Sequence, residues 1–106
     1  MEIKDYLKRS KELFKKIEEK LDEFETDIDY DYAPGKLEIG FETGGTKIVI
    51  NTQQAIQEVW LAGNGRGWHF QYLEDQGIWF AQAEQIEFYQ CFASLLSFRL
   101  KRDVTF

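Results

Sequence analysis

The hydrophobic period of this chain changes twice, and the two changes limit the class of fold it can adopt. From Ile3 one stripe steps by three or four positions through Leu7, Ser10, Phe14, Ile17, Leu21 and Phe24, widened by Tyr6 and Leu13. That spacing marks one face of an amphipathic helix. No Pro or Gly interrupts residues 1–33. From Thr26 the period falls to two. Asp27, Asp29 and Asp31 alternate with Ile28, Tyr30 and Tyr32, as the two faces of a strand do. Residues 84–100 return to helical spacing, with Ile86, Tyr89, Phe92, Ala93, Leu96 and Leu100 on one stripe.

Turn signals divide the middle of the chain. Pro34-Gly35 separates the first strand from Leu37, Ile39 and Phe41, and Gly44-Gly45 turns the chain again. Lys47–Thr52, Glu58–Ala62, Trp68–Leu73 and Ile78–Ala81 read as further strands, with Gly63, Gly65 and Gly67 in a loop. Short connections favour an antiparallel meander. The expected architecture is α+β: two helices packed on one face of a single, mostly antiparallel sheet of about five to six strands, the other face meeting solvent. A length of 106 residues suits one domain, residues 1–106.

Charge and cysteine content exclude several functions. The net charge of −6 is unevenly spread. Residues 1–17 carry +3, residues 18–31 carry −7, and residues 32–106 carry −2. Nucleic acid is disfavoured as a partner, because neutralising phosphates needs clustered Lys and Arg in excess. Cys91 is the only cysteine, so an internal disulfide or a multi-cysteine zinc or cluster site is excluded. The N-terminus is charged at once and no apolar run suits a membrane span, so a soluble, cytosolic protein without a membrane partner is expected.

The acidic run breaks three local rules in one place. Glu18 faces Asp22 and Glu19 faces Glu23 at i,i+4, where like charges destabilise a helix by about 0.2–0.5 kcal/mol per pair. Asp27, Asp29 and Asp31 repel along one strand face. Asp22, Glu23 and Glu25 lie near a helix C-terminus, which prefers cations. Such conflicts often mark function. Hard cations take carboxylate oxygen where thiolate and imidazole are lacking. A solvated face serving solubility is the plain alternative. Asp27, Asp29, Asp31 and Glu38 also fall at positions 1, 3, 5 and 12 of a calcium loop. Tyr32 stands where that loop needs Gly, and the alternation is that of a strand, so an EF-hand is rejected.

Strand alternation sets a second group. With Ile48, Ile50, Val59, Leu61, Trp68 and Phe70 inward, Lys47, Asn51, Gln53, Glu58, Trp60, His69 and Gln71 point to solvent. An outward Trp60 among Asn51, Gln53 and His69 suggests a partner surface, against the alternative of cross-strand packing. A single histidine makes no convincing dyad with Cys91, which sits in a patterned helix. The Gly63-Asn64-Gly65-Arg66-Gly67 loop precedes a strand and is a turn, not a phosphate cradle. No catalytic residue is assigned.

The chain resembles the frataxin family over nearly its whole length. Ile17-Glu-Glu-Lys-Leu-Asp-Glu-Phe-Glu25 is similar to that family's acidic first helix, and Asp27, Asp29 and Asp31 to its acidic first strand. Lys47-Ile-Val-Ile-Asn-Thr-Gln53, Val59-Trp-Leu-Ala62 and Gly67-Trp-His-Phe70 resemble its sheet motifs, in the right order. The resemblance implies an iron-binding protein that contacts the cysteine desulfurase and scaffold of iron–sulfur cluster assembly, as iron donor, chaperone or regulator. Glu18, Glu19, Asp22, Glu23, Glu25, Asp27, Asp29 and Asp31 would form an open, weak metal surface for ferrous or ferric iron. Asn51, Gln53, Trp60 and His69 would meet a partner. A monomer is expected, with iron-driven oligomers as the alternative. The rival functions are a ferroxidase and a pure interaction module with incidental metal binding. The Pro34-Gly35 turn and the C-terminal helix depart from the family's pattern.

Overall fold

The structure, a computed structural model, describes residues 1–106. Helix α1 runs Ile3–Leu21 and ends in a 3-10 turn, Asp22–Phe24. Seven strands follow: β1 (Ile28–Ala33), β2 (Lys36–Phe41), β3 (Ile48–Gln53), β4 (Glu58–Gly63), β5 (Arg66–Leu73), β6 (Ile78–Ala81) and β7 (Ile86–Glu87). Helix α2 (Phe88–Leu100) closes the fold. The sheet is a meander in the order β1 to β7, every neighbouring pair antiparallel. The expected α+β architecture is the one observed.

One sheet face supplies the core. Leu37, Ile39, Ile48, Ile50, Val59, Leu61, Trp68, Phe70 and Trp79 are buried there against Tyr6, Leu13, Phe14, Ile17 and Leu21 of α1 and Phe88, Cys91, Phe92, Leu95 and Leu96 of α2. Both helices cover this face, and the opposite one is open. The Tyr6 hydroxyl donates to the Glu58 carbonyl at 2.7 Å, tying α1 to β4. At the first hairpin Gly35 has φ +77°, the left-handed conformation that a Pro-Gly turn places at its second residue. Thr52 closes that turn, its amide donating to the Gly35 carbonyl at 2.8 Å.

Three expectations are corrected at element ends. The helix read over residues 84–100 begins only at Phe88, because Gln85 takes a positive φ of 54° and residues 86–87 pair with β6 as the added strand β7. Glu87 then caps the helix, accepting from the Tyr89 and Gln90 amides at 2.7 and 3.0 Å. Ile3 and Leu7 belong to the expected helical stripe yet are exposed: the face that α1 buries runs through Tyr6, Ser10, Leu13, Phe14, Ile17 and Leu21, Ile3 precedes its first buried residue and Leu7 lies at its margin. Asp27 lies just ahead of β1 and not within it. No helix is long and apolar enough to cross a membrane.

Candidate metal and partner surface

The acidic residues gather along one edge of the molecule and occupy two elements. Glu18 and Glu19 close α1, Asp22 and Glu23 lie in its 3-10 turn, and Glu25 and Asp27 are in the link to β1. Ile28 is buried, so alternation turns Asp29 and Asp31 onto the open face of β1, the edge strand. The acidic edge therefore wraps from the helix end round the border of the sheet. Register adds residues that the sequence run does not contain. Asp31 faces Glu38 across the β1–β2 ladder, and Lys36 lies 3.5 Å from Glu38. A shallow depression at this edge is lined by Glu25, Asp27, Asp29 and Glu42, with Gly40 beneath. Glu42 was not singled out from the sequence, because the β1–β2 pairing alone brings it to Asp27, whose carbonyl accepts from its amide at 3.0 Å.

Part of this charge is already engaged. Asp22 accepts from the Tyr30 hydroxyl at 2.8 Å. The hydrogen bond to Asp22, then burial, then the charges of Asp22 and Glu18 push the Tyr30 hydroxyl up to about 12. Glu23 lies 3.2 Å from the Lys20 ammonium, the one base in the run. Asp27 pairs with Arg102 of the C-terminal tail at 2.8 Å. Glu18, Glu19, Glu25, Asp29 and Asp31 have no ion pair within the chain. No three His, Cys, Asp or Glu side chains converge into a ready-made metal site. What the edge offers a cation is a row of exposed oxygens with high local negative potential, without an enclosing cage. Such an arrangement favours hard cations of modest geometric demand.

The open sheet face carries the second group. Asn51, Trp60 and His69 are cross-strand partners in one row, and Gln53, Glu58 and Gln71 form the next. His69 stacks on Trp60 with ring centroids 4.0 Å apart and planes 9° apart. Glu58 fixes the stack, accepting from the Trp60 indole at 2.8 Å and from the Gln71 amide at 3.2 Å. The Gln53 amide donates to Asn51 at 2.7 Å. The four residues expected to share this face do share it. Glu58 was read only as outward; a carboxylate two positions before a Trp on the same strand face is the signal for its role. The result is a flat, pre-ordered aromatic and amide surface.

Cys91 is 3% exposed, and burial pushes its thiol up to about 12, so it stays protonated in the core.

Comparison with known proteins gives concordant matches. The model of the frataxin-like domain matches residues 1–102. A protein of Paraburkholderia phymatum named iron-sulfur cluster assembly protein CyaY is 35% identical over 89 residues, covering 84% of this chain and 82% of its own. A protein of the same name from Psychromonas ingrahamii is 33% identical over 106 residues, covering 100% of this chain and 98% of its own. A solved structure of frataxin from Psychromonas ingrahamii superposes with a TM-score of 0.87 at 32% identity, covering 99% of this chain and 97% of that one.

Proposed function

This chain belongs to the frataxin-like family, and from that premise we propose that it is an iron-binding protein of iron–sulfur cluster assembly, acting in the cytoplasm by binding and not by catalysis. The name carried by both relatives supports the pathway. The observation that carries the binding role is the acidic edge itself. Glu18, Glu19, Glu25, Asp29 and Asp31 are left without partners where three local rules of stability are broken. Iron is cargo or signal at this edge and is held weakly by shared carboxylates.

The same edge docks on a basic patch of the cysteine desulfurase. Its −7 over residues 18–31 steers the encounter, and bound iron lowers that charge and so tunes docking. The Asn51–Trp60–His69 face serves a second contact, with the scaffold protein, where a rigid aromatic can anchor an interface.

Binding to a cysteine desulfurase, measured by calorimetry or biolayer interferometry, tests this reading. Affinity should fall steeply as salt rises, and Glu18→Lys, Glu19→Lys and Asp22→Lys together should abolish it. Binding that is insensitive to salt and survives the reversal would refute the docking role of this edge.

A further inference from the structure

Helix α2 leaves a gap along its outer flank. Between that flank, the β4–β5 hairpin and the link from β6 to β7 lies a cavity of about 420 Å³, within the range of small-molecule sites. Trp68, Ile86, Cys91 and Leu95 give it an apolar floor. Phe98 lines its mouth and is 71% exposed, more than any other large apolar side chain of the protein. Two charges of opposite sign line the same cavity. The Arg66 guanidinium lies 4.9 Å over the Trp68 ring, so stacking holds its plane, yet Arg66 has no ion pair within the chain. Glu84, in the β6–β7 link, is exposed and has none either. Burial dominates the Cys91 thiol on the floor, and the charges of Arg66 and Glu84 both reach it, Arg66 lowering its pKa and Glu84 raising it. A cation and an anion therefore stand around one apolar cavity without pairing with each other.

We propose that this cavity is a binding site for a zwitterionic small molecule with an apolar body, of the class of an aromatic α-amino acid. Its carboxylate takes the Arg66 guanidinium, whose planar fork matches two carboxylate oxygens. Its ammonium takes the Glu84 carboxylate. Its ring lies on the floor of Trp68, Ile86 and Leu95, where aromatic contact is favoured, and covers part of Phe98. Both charges on the ligand are needed. A plain carboxylate would set a second anion beside Glu84, and a plain amine a second cation beside Arg66. Cys91 contributes only apolar wall, since its thiol stays protonated. The cavity lies on the helix-covered side of the sheet and shares no residue with the acidic edge or with the Asn51–Trp60–His69 face. It stands independently of the function proposed for those surfaces.

Titration of the full chain with L-phenylalanine, followed by NMR, tests the assignment. Phenylpropionate, which lacks the ammonium, and phenethylamine, which lacks the carboxylate, are titrated beside it. Saturable shifts are expected at the Trp68 indole and at the amides of Arg66, Glu84 and Phe98, while the Trp60 indole stays still. Phenylalanine should bind about tenfold more tightly than either analogue, the difference that one charge-assisted contact carries. Arg66→Gln should bring phenylalanine down to the level of phenethylamine, and Glu84→Gln down to that of phenylpropionate, with thermal unfolding confirming that both variants are folded. Phe98→Ala, at an exposed position, should weaken all three compounds alike and leave the fold intact. No saturable shift at this cavity, equal affinity for the three compounds, or a preference for phenylalanine that survives both charge replacements overturns the proposal.

Discussion

Tyr30 shows how a single residue reports on the acidic edge. It lies on the helix-facing side of β1, and its hydroxyl donates to Asp22. That bond and the neighbouring carboxylates raise its pKa from 10.0 to about 12. The folded state therefore holds this proton over a pH range in which the unfolded chain has lost it. The resulting stability is fully present below about pH 10 and is lost as pH rises through the folded value. Tyr89 and Cys91, both raised to about 12 chiefly by burial, act in the same direction. Unfolding in denaturant followed from pH 8 to 12 should show stability falling across the upper part of this range. Tyr30→Phe should make the fall shallower, and an unchanged slope would show that the Asp22 bond does not hold in solution. Trp60 makes the complementary case on the open face. It has a stacking partner and one hydrogen bond but no core packing. Trp60→Ala should lower stability by about 1–2 kcal/mol, the scale of one stacked pair and one hydrogen bond. Phe70→Ala, in the core, should cost about 3–5 kcal/mol. Chemical denaturation of both variants checks the contrast. The outward position of Trp60 was legible from strand alternation. The roles of Glu58, Lys20 and Arg102 were not, since side-chain pairing depends on register and on contacts as distant as the 75 residues between Arg102 and Asp27.

At the scale of elements, the C-terminal tail joins the helices to the acidic edge. Val104 is buried, and its amide donates to the Ser97 hydroxyl at 2.9 Å. Phe106 packs against Tyr89 and Phe92 with centroids 4.8 and 5.9 Å away, beneath the Lys20 ammonium. Arg102 lies over Phe24 as well as pairing with Asp27. Deleting residues 103–106 should remove about 2–3 kcal/mol, chiefly the burial of Val104 and Phe106. For a domain of this size that lowers the melting temperature by about 10–15 °C. Differential scanning calorimetry of the shortened chain measures this, and an unchanged melting temperature would mean the tail is not docked. Helix α1 and the first six strands were readable in type and order because each keeps one hydrophobic period between turn signals, but the loop expected at Gly63, Gly65 and Gly67 narrows to Asn64-Gly65, since Gly63 and Gly67 pair within β4 and β5. The start of α2 was not readable, because Gln85 adopts a left-handed conformation without being Gly or Asn, and Glu87 caps the helix from outside the usual set of capping residues. The tail carries no period at all, and only packing reveals it. The latch of Arg99 to the Thr46 and Gly44 carbonyls, at 2.6 and 2.9 Å, was equally invisible, since it spans more than 50 residues of chain.

At the scale of the whole molecule, charge is sorted along the direction of α1. The helix is 19 residues long, about 28 Å from end to end. That exceeds the Debye length at physiological salt, so its two ends act as separate surfaces. The basic end and the acidic end were legible as +3 and −7 segments of sequence. The turning of Asp29 and Asp31 away from the core was legible as alternation with Ile28 and Tyr30; what sequence could not give was the recruitment of Glu38 and Glu42 by pairing. The central claim is that this edge holds iron openly and weakly through carboxylates. An anaerobic titration of ferrous iron, followed residue by residue by NMR, tests it most directly. The account predicts broadening or shifts in fast exchange at Glu18, Glu19, Asp22, Glu23, Glu25, Asp27, Asp29 and Asp31, spreading to Glu42, with magnesium and calcium competing at higher concentration. Effects centred on His69 or Cys91, or tight saturable binding that leaves the acidic edge unperturbed, would contradict it.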